Sequence, residues 1–327
     1  MFSKLALLTL LSAALLPAGS VCASGPAWPP APAETRVEFV SQIDLGELKP
    51  QSGFFGRLGR VLGGGDPEEK LRQPFDILAT EDRIYLTCQD RQGLVVINPA
   101  DKNYKLYFCE DQPLVKPLAL AMLDGQVLLS DSGNGTIYRF DGKQLKPWIT
   151  AGLVRPTGLT PSADGQFLMV VDTGDHRLKL FDKKGILIRI LGQRGDNPTD
   201  LNFPTFASQS QGQFLVNDTL NYQIKRYGNQ GEFLGSFGRE GDVPGSFARP
   251  KGLDADSDGN IWVVDGLFDN IQVFDPTGQL LLVIGGPGQA EGQFWSPVGI
   301  DFFGDEVFVA DTFNNRIQIL KYLGGDS

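Results

Sequence analysis

Three observations predict an all-β chain folded as a six-bladed β-propeller, with four-stranded antiparallel blades and a ring closed by an N-terminal strand. First, a 14-residue motif is written six times: IYLTCQDRQGLVVI from Ile84, VLLSDSGNGTIYRF from Val127, LMVVDTGDHRLKLF from Leu168, FLVNDTLNYQIKRY from Phe214, IWVVDGLFDNIQVF from Ile261 and VFVADTFNNRIQIL from Val307. Its fifth position is Cys88 in the first copy and Asp131, Asp172, Asp218, Asp265 and Asp311 in the others, at intervals of 41 to 47 residues. A period in the forties in a β-rich chain is that of one small sheet per repeat. Second, an apolar residue stands three positions before a proline ahead of each motif: Leu71/Pro74, Leu114/Pro117, Leu153/Pro156, Leu201/Pro204, Phe247/Pro250 and Phe294/Pro297. Third, the sixth repeat stops at Tyr322, before an outer strand can form, while RVEFVSQIDL (36–45) is β-prone and belongs to no repeat.

The proline opens the innermost strand, where its missing N–H breaks no ladder bond. Two residues on, Ala119, Gly158, Gly252 and Gly299 are small, as strands converging on an axis require; Asp76 and Phe206 depart from this pattern. The two apolar halves of the motif form the second and third strands, joined by a polar turn. A glycine-bearing turn then leads to a fourth strand, as in 231–237. Four strands of ~5 residues with their turns need roughly 40 residues, which matches the period. The segment 36–45 is expected to complete the last blade from outside and so remove two open sheet edges. The whole of 36–323 then reads as one domain.

The flanking segments read differently. Residues 1–23 have the form of an export signal: Lys4, the run LALLTLLSAALL, then small residues, with Val21 and Ala23 fitting a peptidase site. The run is broken by Pro17 and Gly19 and is too short for a membrane span. Cys22 offers a rival fate, lipid attachment, although Val21 is bulky for that role. Residues 24–35 are proline-rich and are expected as an extended tether. In the linker 49–70, Phe54, Phe55, Leu58, Val61 and Leu62 recur at helical spacing opposite Arg57 and Arg60, ahead of three glycines. That spells a short amphipathic helix, either a plug over the ring or a docking helix for a partner or membrane surface.

The chemistry-bearing residues are few. A net charge of −10 argues against nucleic acid as a partner. The five motif aspartates are expected to cap their own turns rather than bind metal. Asp254, Asp256 and Asp258, with Asp265 in the twelfth position, mimic a calcium loop, but Asp258-Gly259 reads as a hairpin turn and leaves Asp265 a strand away. His176 is the sole histidine, so a zinc site of several imidazoles is impossible; its variable turn position places it on the surface. Cys88 and Cys109 are expected as thiols, because a strand lies between the two strand ends that carry them. Leu220, Tyr222, Leu267, Phe268 and Phe313 in the motif turns, with Lys116, Arg155 and Arg249 just before prolines, are expected to share one rim. Aromatic and apolar groups beside cations suit a protein interface. The same three cations could instead hold a small anion or a carbohydrate at the channel mouth.

The pattern apolar-x-x-Pro followed by I-Y/F-V-A-D-T-x-N-x-R-I-Q-V-F resembles the NHL repeat, most closely in FVADTFNNRIQIL of the sixth copy. The resemblance covers roughly residues 24–323. With the stretch GPAWPPAPAETRVEFV, it implies an exported bacterial propeller of the periplasm or outer envelope, a type often lipid-anchored. It fixes fold more than function, since NHL propellers include binding platforms, RNA binders and amidating lyases. Those lyases use several histidines around zinc, which this chain lacks. Lactonase-type propellers hold calcium on the axis, and no such set is assignable here. The expected function is a non-enzymatic scaffold that binds another envelope protein through its rim loops and needs no cofactor. Two alternatives stand beside it: a calcium-dependent hydrolase or lyase on the axis, and small-anion or carbohydrate binding at the channel mouth.

Overall fold

The computed structural model describes residues 25–51 and 70–324. They form six antiparallel sheets, one per repeat. The first blade is built from Pro74–Ala79, Ile84–Cys88, Leu94–Asn98 and Asn103–Tyr107. The other inner strands are Pro117–Leu123, Pro156–Pro161, Pro204–Ser210, Pro250–Ala255 and Pro297–Phe303, each opening at its expected proline. In the sixth blade Val37–Asp44 pairs antiparallel with Arg316–Tyr322, from Val37 against Tyr322 to Asp44 against Arg316. The ring is therefore closed by the N-terminal strand.

Two further strands were not foreseen. Ala27–Trp28 pairs with the outside of Val37–Asp44, and Trp28 packs against the apolar core between blades five and six. The proline-rich stretch is thus pinned to the ring at this point rather than trailing from it. Lys49–Pro50 runs parallel to Asn103–Tyr107 on the outer edge of blade one. The helix expected around Phe54, Phe55, Leu58 and Leu62, the signal segment and Cys22 lie outside the described residues.

The apolar core is divided into six clusters, each between two neighbouring blades. The apolar residue three before each proline belongs to one of them: Leu71, Leu114, Leu153, Leu201, Phe247 and Phe294 each seal a different junction. Nearer the axis the inner strands approach backbone to backbone. A Cβ on Gly252 would stand 2.4 Å from the Val298 carbonyl oxygen, and one on Gly158 2.7 Å from that of Thr205. Nothing larger than hydrogen fits there.

The loop that enters each blade has N–H groups with no sheet partner, and such buried groups must be satisfied. The motif aspartates, all fully buried, do this. Asp131 accepts from the N–H groups of Val115 and Lys116 (2.6 and 2.9 Å), and Asp172 from those of Val154 and Arg155 (2.8 and 2.7 Å). Asp218 accepts from Asn202 (2.6 Å), Asp265 from Ala248 (2.8 Å) and Asp311 from Trp295 (2.8 Å). The expected bonds to the aspartate's own turn also occur, from Gly133 to Asp131 and from Leu267 to Asp265. The bond to the entering loop is the one that recurs in all five.

Seven residues after the aspartate, a second buried polar side chain ties the loop again. Lys179 lies 2.6 Å from Asp172 and donates to the Gly152 carbonyl; Gln272 and Gln318 donate to the carbonyls of Ser246 and Gln293. Lys225 lies 2.9 Å from Asp218, with both side chains completely shielded from solvent, and donates to the Asp200 carbonyl. Replacing Lys225 by methionine would leave the Asp218 charge buried alone. Urea denaturation is expected to show a loss of about 3–5 kcal/mol. The double variant Lys225→Met/Asp218→Asn is expected to recover part of it; no recovery would mean the pair is not coupled.

Candidate functional site: a divided axial channel

Phe206, one of the two residues that broke the small-residue pattern, divides the channel together with Phe75, the neighbour of the other. Phe206 reaches inward from blade four and Phe75 from blade one, which faces it across a six-membered ring. Their rings stack 5.8 Å apart with planes 26° from parallel. On one side lies a cavity of about 130 Å3 lined by the inner strands of all six blades. On the other lies an open cup of about 670 Å3 at the mouth where the motif turns gather. Phe206 borders both.

The inner cavity is acidic. Asp76 accepts from the Leu120 N–H (2.8 Å), Asp301 from the Ala79 N–H (2.7 Å), and Asp254 from the Phe302 N–H (2.9 Å) and the Ser208 hydroxyl (2.5 Å). Each carboxyl thus clasps the inner strand of the next blade: five to six, six to one, one to two. Burial pushes Asp76 up to about 7 and Asp254 up to about 6. Asp301 is raised well above the usual carboxylate range, first by burial and then by the nearby Asp254 charge. Among the described residues no three acidic, histidine or cysteine side chains are disposed to hold a metal ion, and each of these carboxyls already serves a backbone amide. The calcium-like run also diverges. Asp254 faces the axis, Asp256 caps its turn and accepts from the Trp262 indole, and Asp258 accepts from the Tyr322 hydroxyl.

The cup is basic. Arg91, Lys116, Arg155 and Lys251 line it with a single acid, Asp90, which lies 3.6 Å from Arg91. Thr157, Thr173 and Thr205 add hydroxyls, Thr157 and Thr173 being 2.7 Å apart. Phe75 and Phe206 form its floor, and the Arg155 guanidinium sits 5.7 Å from the centre of Phe203 on the wall. Of the three cations expected at the mouth, Lys116 and Arg155 line the cup. Arg249 does not; Lys251, two residues on and inside the strand, takes that place. Burial and then the Arg249 charge push the Lys251 ammonium below the usual lysine range.

Around the cup stands an apolar crown. Leu220, Leu267 and Phe313 are exposed as expected, and Val115, Val154 and Trp295 join them, the six ranging from 46% to 61% exposed. Turn and entering loop share this rim because they bond each other, as Leu220 N–H to the Asn202 carbonyl and Phe313 N–H to the Trp295 carbonyl, both at 3.0 Å. Trp295 and Phe313 meet edge to face. Tyr222 and Phe268 are only half-exposed, and Tyr222 packs into the core between blades four and five, so it is scaffold rather than surface. Val115, Val154 and Trp295 were legible as residues two before a proline in a loop already assigned to the rim.

His176 is buried rather than on the surface. Its Nδ1 accepts from the Phe203 N–H at 3.1 Å. The ninth motif position does the same elsewhere: Asp269 accepts from the Ser296 N–H and Asn315 from the Gln73 N–H. Each donor is the left-handed residue just before a proline of the following blade. Asn315 thereby serves the first blade, whose motif carries Cys88 instead of aspartate. Cys88 and Cys109 are thiols buried in separate inter-blade cores.

Six such sheets around a divided channel define a six-bladed β-propeller. Its repeats resemble NHL repeats. No protein-family model matches the chain. It is 28% identical over 113 residues to Protein brain tumor of Drosophila melanogaster, covering 34% of this chain and 10% of that protein. It is 28% identical over 114 residues to E3 ubiquitin-protein ligase NHLRC1 of Homo sapiens, covering 35% of this chain and 27% of that one. The chain thus spans well under a third of either relative. The structure of virginiamycin B lyase from Staphylococcus aureus aligns with a TM-score of 0.60 at 16% identity, over 88% of this chain and 100% of that one, a likeness of fold.

The axial acids give a pH signature. Their folded-state values lie above the ordinary 3.8, so the folded chain holds protons that the unfolded chain releases, and stability falls as pH rises from about 4 through about 7. Thermal melts at about pH 5 and about pH 8 are expected to converge in Asp76→Asn relative to the parent chain. An unchanged difference would place the titration elsewhere.

Proposed function

We propose that this protein is a non-enzymatic interaction scaffold of the bacterial cell envelope, exported through residues 1–23, with the crowned face as its docking surface. One observation carries this reading: Val115, Val154, Leu220, Leu267, Trp295 and Phe313 all project from one rim. Apolar patches of that kind, mixed with cations, are what partner proteins cover. The strands beneath are tied blade to blade, so the loops are presented rigidly and little ordering cost falls on association. A curated relative that is a ubiquitin-protein ligase acts, by its name, on other proteins, which agrees with this reading. An axial lyase or calcium-dependent hydrolase is less well supported, because His176 is committed to the Phe203 N–H and the axial acids to the inner strands.

A photo-crosslinking residue placed at Leu267 or Phe313 in the full chain, in its native cells, is expected to yield a discrete adduct. The same residue at Leu234, on an outer strand, is expected to yield none. The adduct should vanish in Leu220→Asp/Phe313→Asp with the melting temperature unchanged, since both side chains face solvent. Adducts confined to the outer strand would move the docking surface off this rim.

A further inference from the structure

We infer that the cup inside the crown is a binding site for a small organic anion: a carboxylate or phosphate carried on a flat apolar body. This goes beyond the docking face and does not depend on it. Charge is the first argument. In a chain of net charge −10, four cations line one concavity with a single acid, and that acid is occupied by Arg91. Lys116, Arg155 and Lys251 make no ion pair and no side-chain hydrogen bond among the described residues. Cations elsewhere in the fold are spent on it: Lys179, Lys225 and Arg316 each meet a buried aspartate. Those of the cup contribute nothing comparable to the scaffold. Burial and then the Arg249 charge hold the Lys251 ammonium below the usual lysine range, and an anion in the cup would offset that cost.

Shape is the second argument. The stacked pair Phe75 and Phe206 forms an aromatic floor, and Phe203 beside Arg155 extends it up the wall. A floor of this kind receives a ring or planar body, and the cations above it receive the charge. About 670 Å3 falls within the range of small-molecule sites, roughly 300–1,000 Å3. The floor also sets the depth. Beneath it lie Asp76, Asp254 and Asp301 in a cavity of about 130 Å3, which an anion cannot enter. The ligand must therefore stop at the mouth, between ring floor and cations.

Calorimetric titration of the purified chain with four probes tests this: phenyl phosphate, benzoate, benzamide and inorganic phosphate. At least one of phenyl phosphate and benzoate is expected to bind, and which of them does separates phosphate from carboxylate recognition. Benzamide, with the body but no charge, and inorganic phosphate, with the charge but no body, are each expected to bind at least roughly tenfold more weakly. Arg155→Gln and Lys251→Met are each expected to weaken the bound probe by roughly tenfold, with Arg249→Gln, outside the cup, nearly silent. Lys116→Ala, at an exposed position, repeats the test should Lys251→Met fail to fold. Equal binding of benzamide and benzoate, binding unaffected by the cup substitutions, or no binding of either phenyl phosphate or benzoate would each overturn the inference. Each outcome is independent of whether a protein docks on the crown.

Discussion

The constraint on which this structure rests is the chain's re-entry into each blade. Between an outer strand and the next inner strand the backbone must cross from rim to axis, and its N–H groups leave one sheet before joining another. Left bare in a buried place, each would cost on the order of 1–3 kcal/mol. The motif answers with two acceptor positions and one donor position: the fifth and twelfth act on the loop entering their own blade, the ninth on the loop entering the next. The fifth residue takes the N–H groups just before the proline, the ninth takes an N–H of the following blade, and the twelfth donates back to a loop carbonyl. What looks in the sequence like a turn signature is the device that joins blade to blade. The same bonds hold the rim that carries the apolar crown, since each of the five motif aspartates fastens the loop entering its own blade.

The period of the repeat, the proline at each strand entrance and the strand that closes the ring were legible because each follows from one-dimensional pattern. The destinations of side chains were less legible. The aspartates read as local caps because a sequence shows only neighbours in the chain, whereas Asp131 reaches back sixteen residues to Val115. His176 read as surface for the same reason: nothing local announces an amide of the next blade. Its equivalence to Asp269 and Asn315 at the ninth position held the clue, since all three can accept a hydrogen bond and all three adopt left-handed backbone. Two residues of the proline-rich stretch were likewise given to a tether, because a two-residue strand carries no periodicity.

The axis shows how a repeat acquires individuality. Six identical blades would leave a symmetric channel lined by small residues. Here Asp76 and Phe206 occupy two of those positions, and Asp254 and Asp301 add charge two residues further on. The aromatic pair spans the ring and separates a cationic mouth from an acidic interior. Burying carboxyls inside the channel is costly, and the raised values of Asp76 and Asp254 record that desolvation first of all. The carboxyls are retained nonetheless as clasps between the inner strands of blades five, six, one and two. Two of those three junctions flank the sheet that the N-terminal strand completes.

The departures from the repeat fall where the repeat itself has no further structural work to do. Cys88 in place of aspartate frees the first blade's turn to be Gln89-Asp90-Arg91-Gln92, which forms one wall of the cup. Lys251 stands where other blades place phenylalanine, leucine, threonine or valine, and it alone brings charge into the inner strand at the mouth. Neither change improves packing: one gives up a buried acceptor, the other half-buries an ammonium beside Arg249. A scaffold selected for stability alone would have no use for either. Both converge on the same concavity, and that convergence, more than any single residue, marks the basic mouth as the part of this propeller shaped for something outside it.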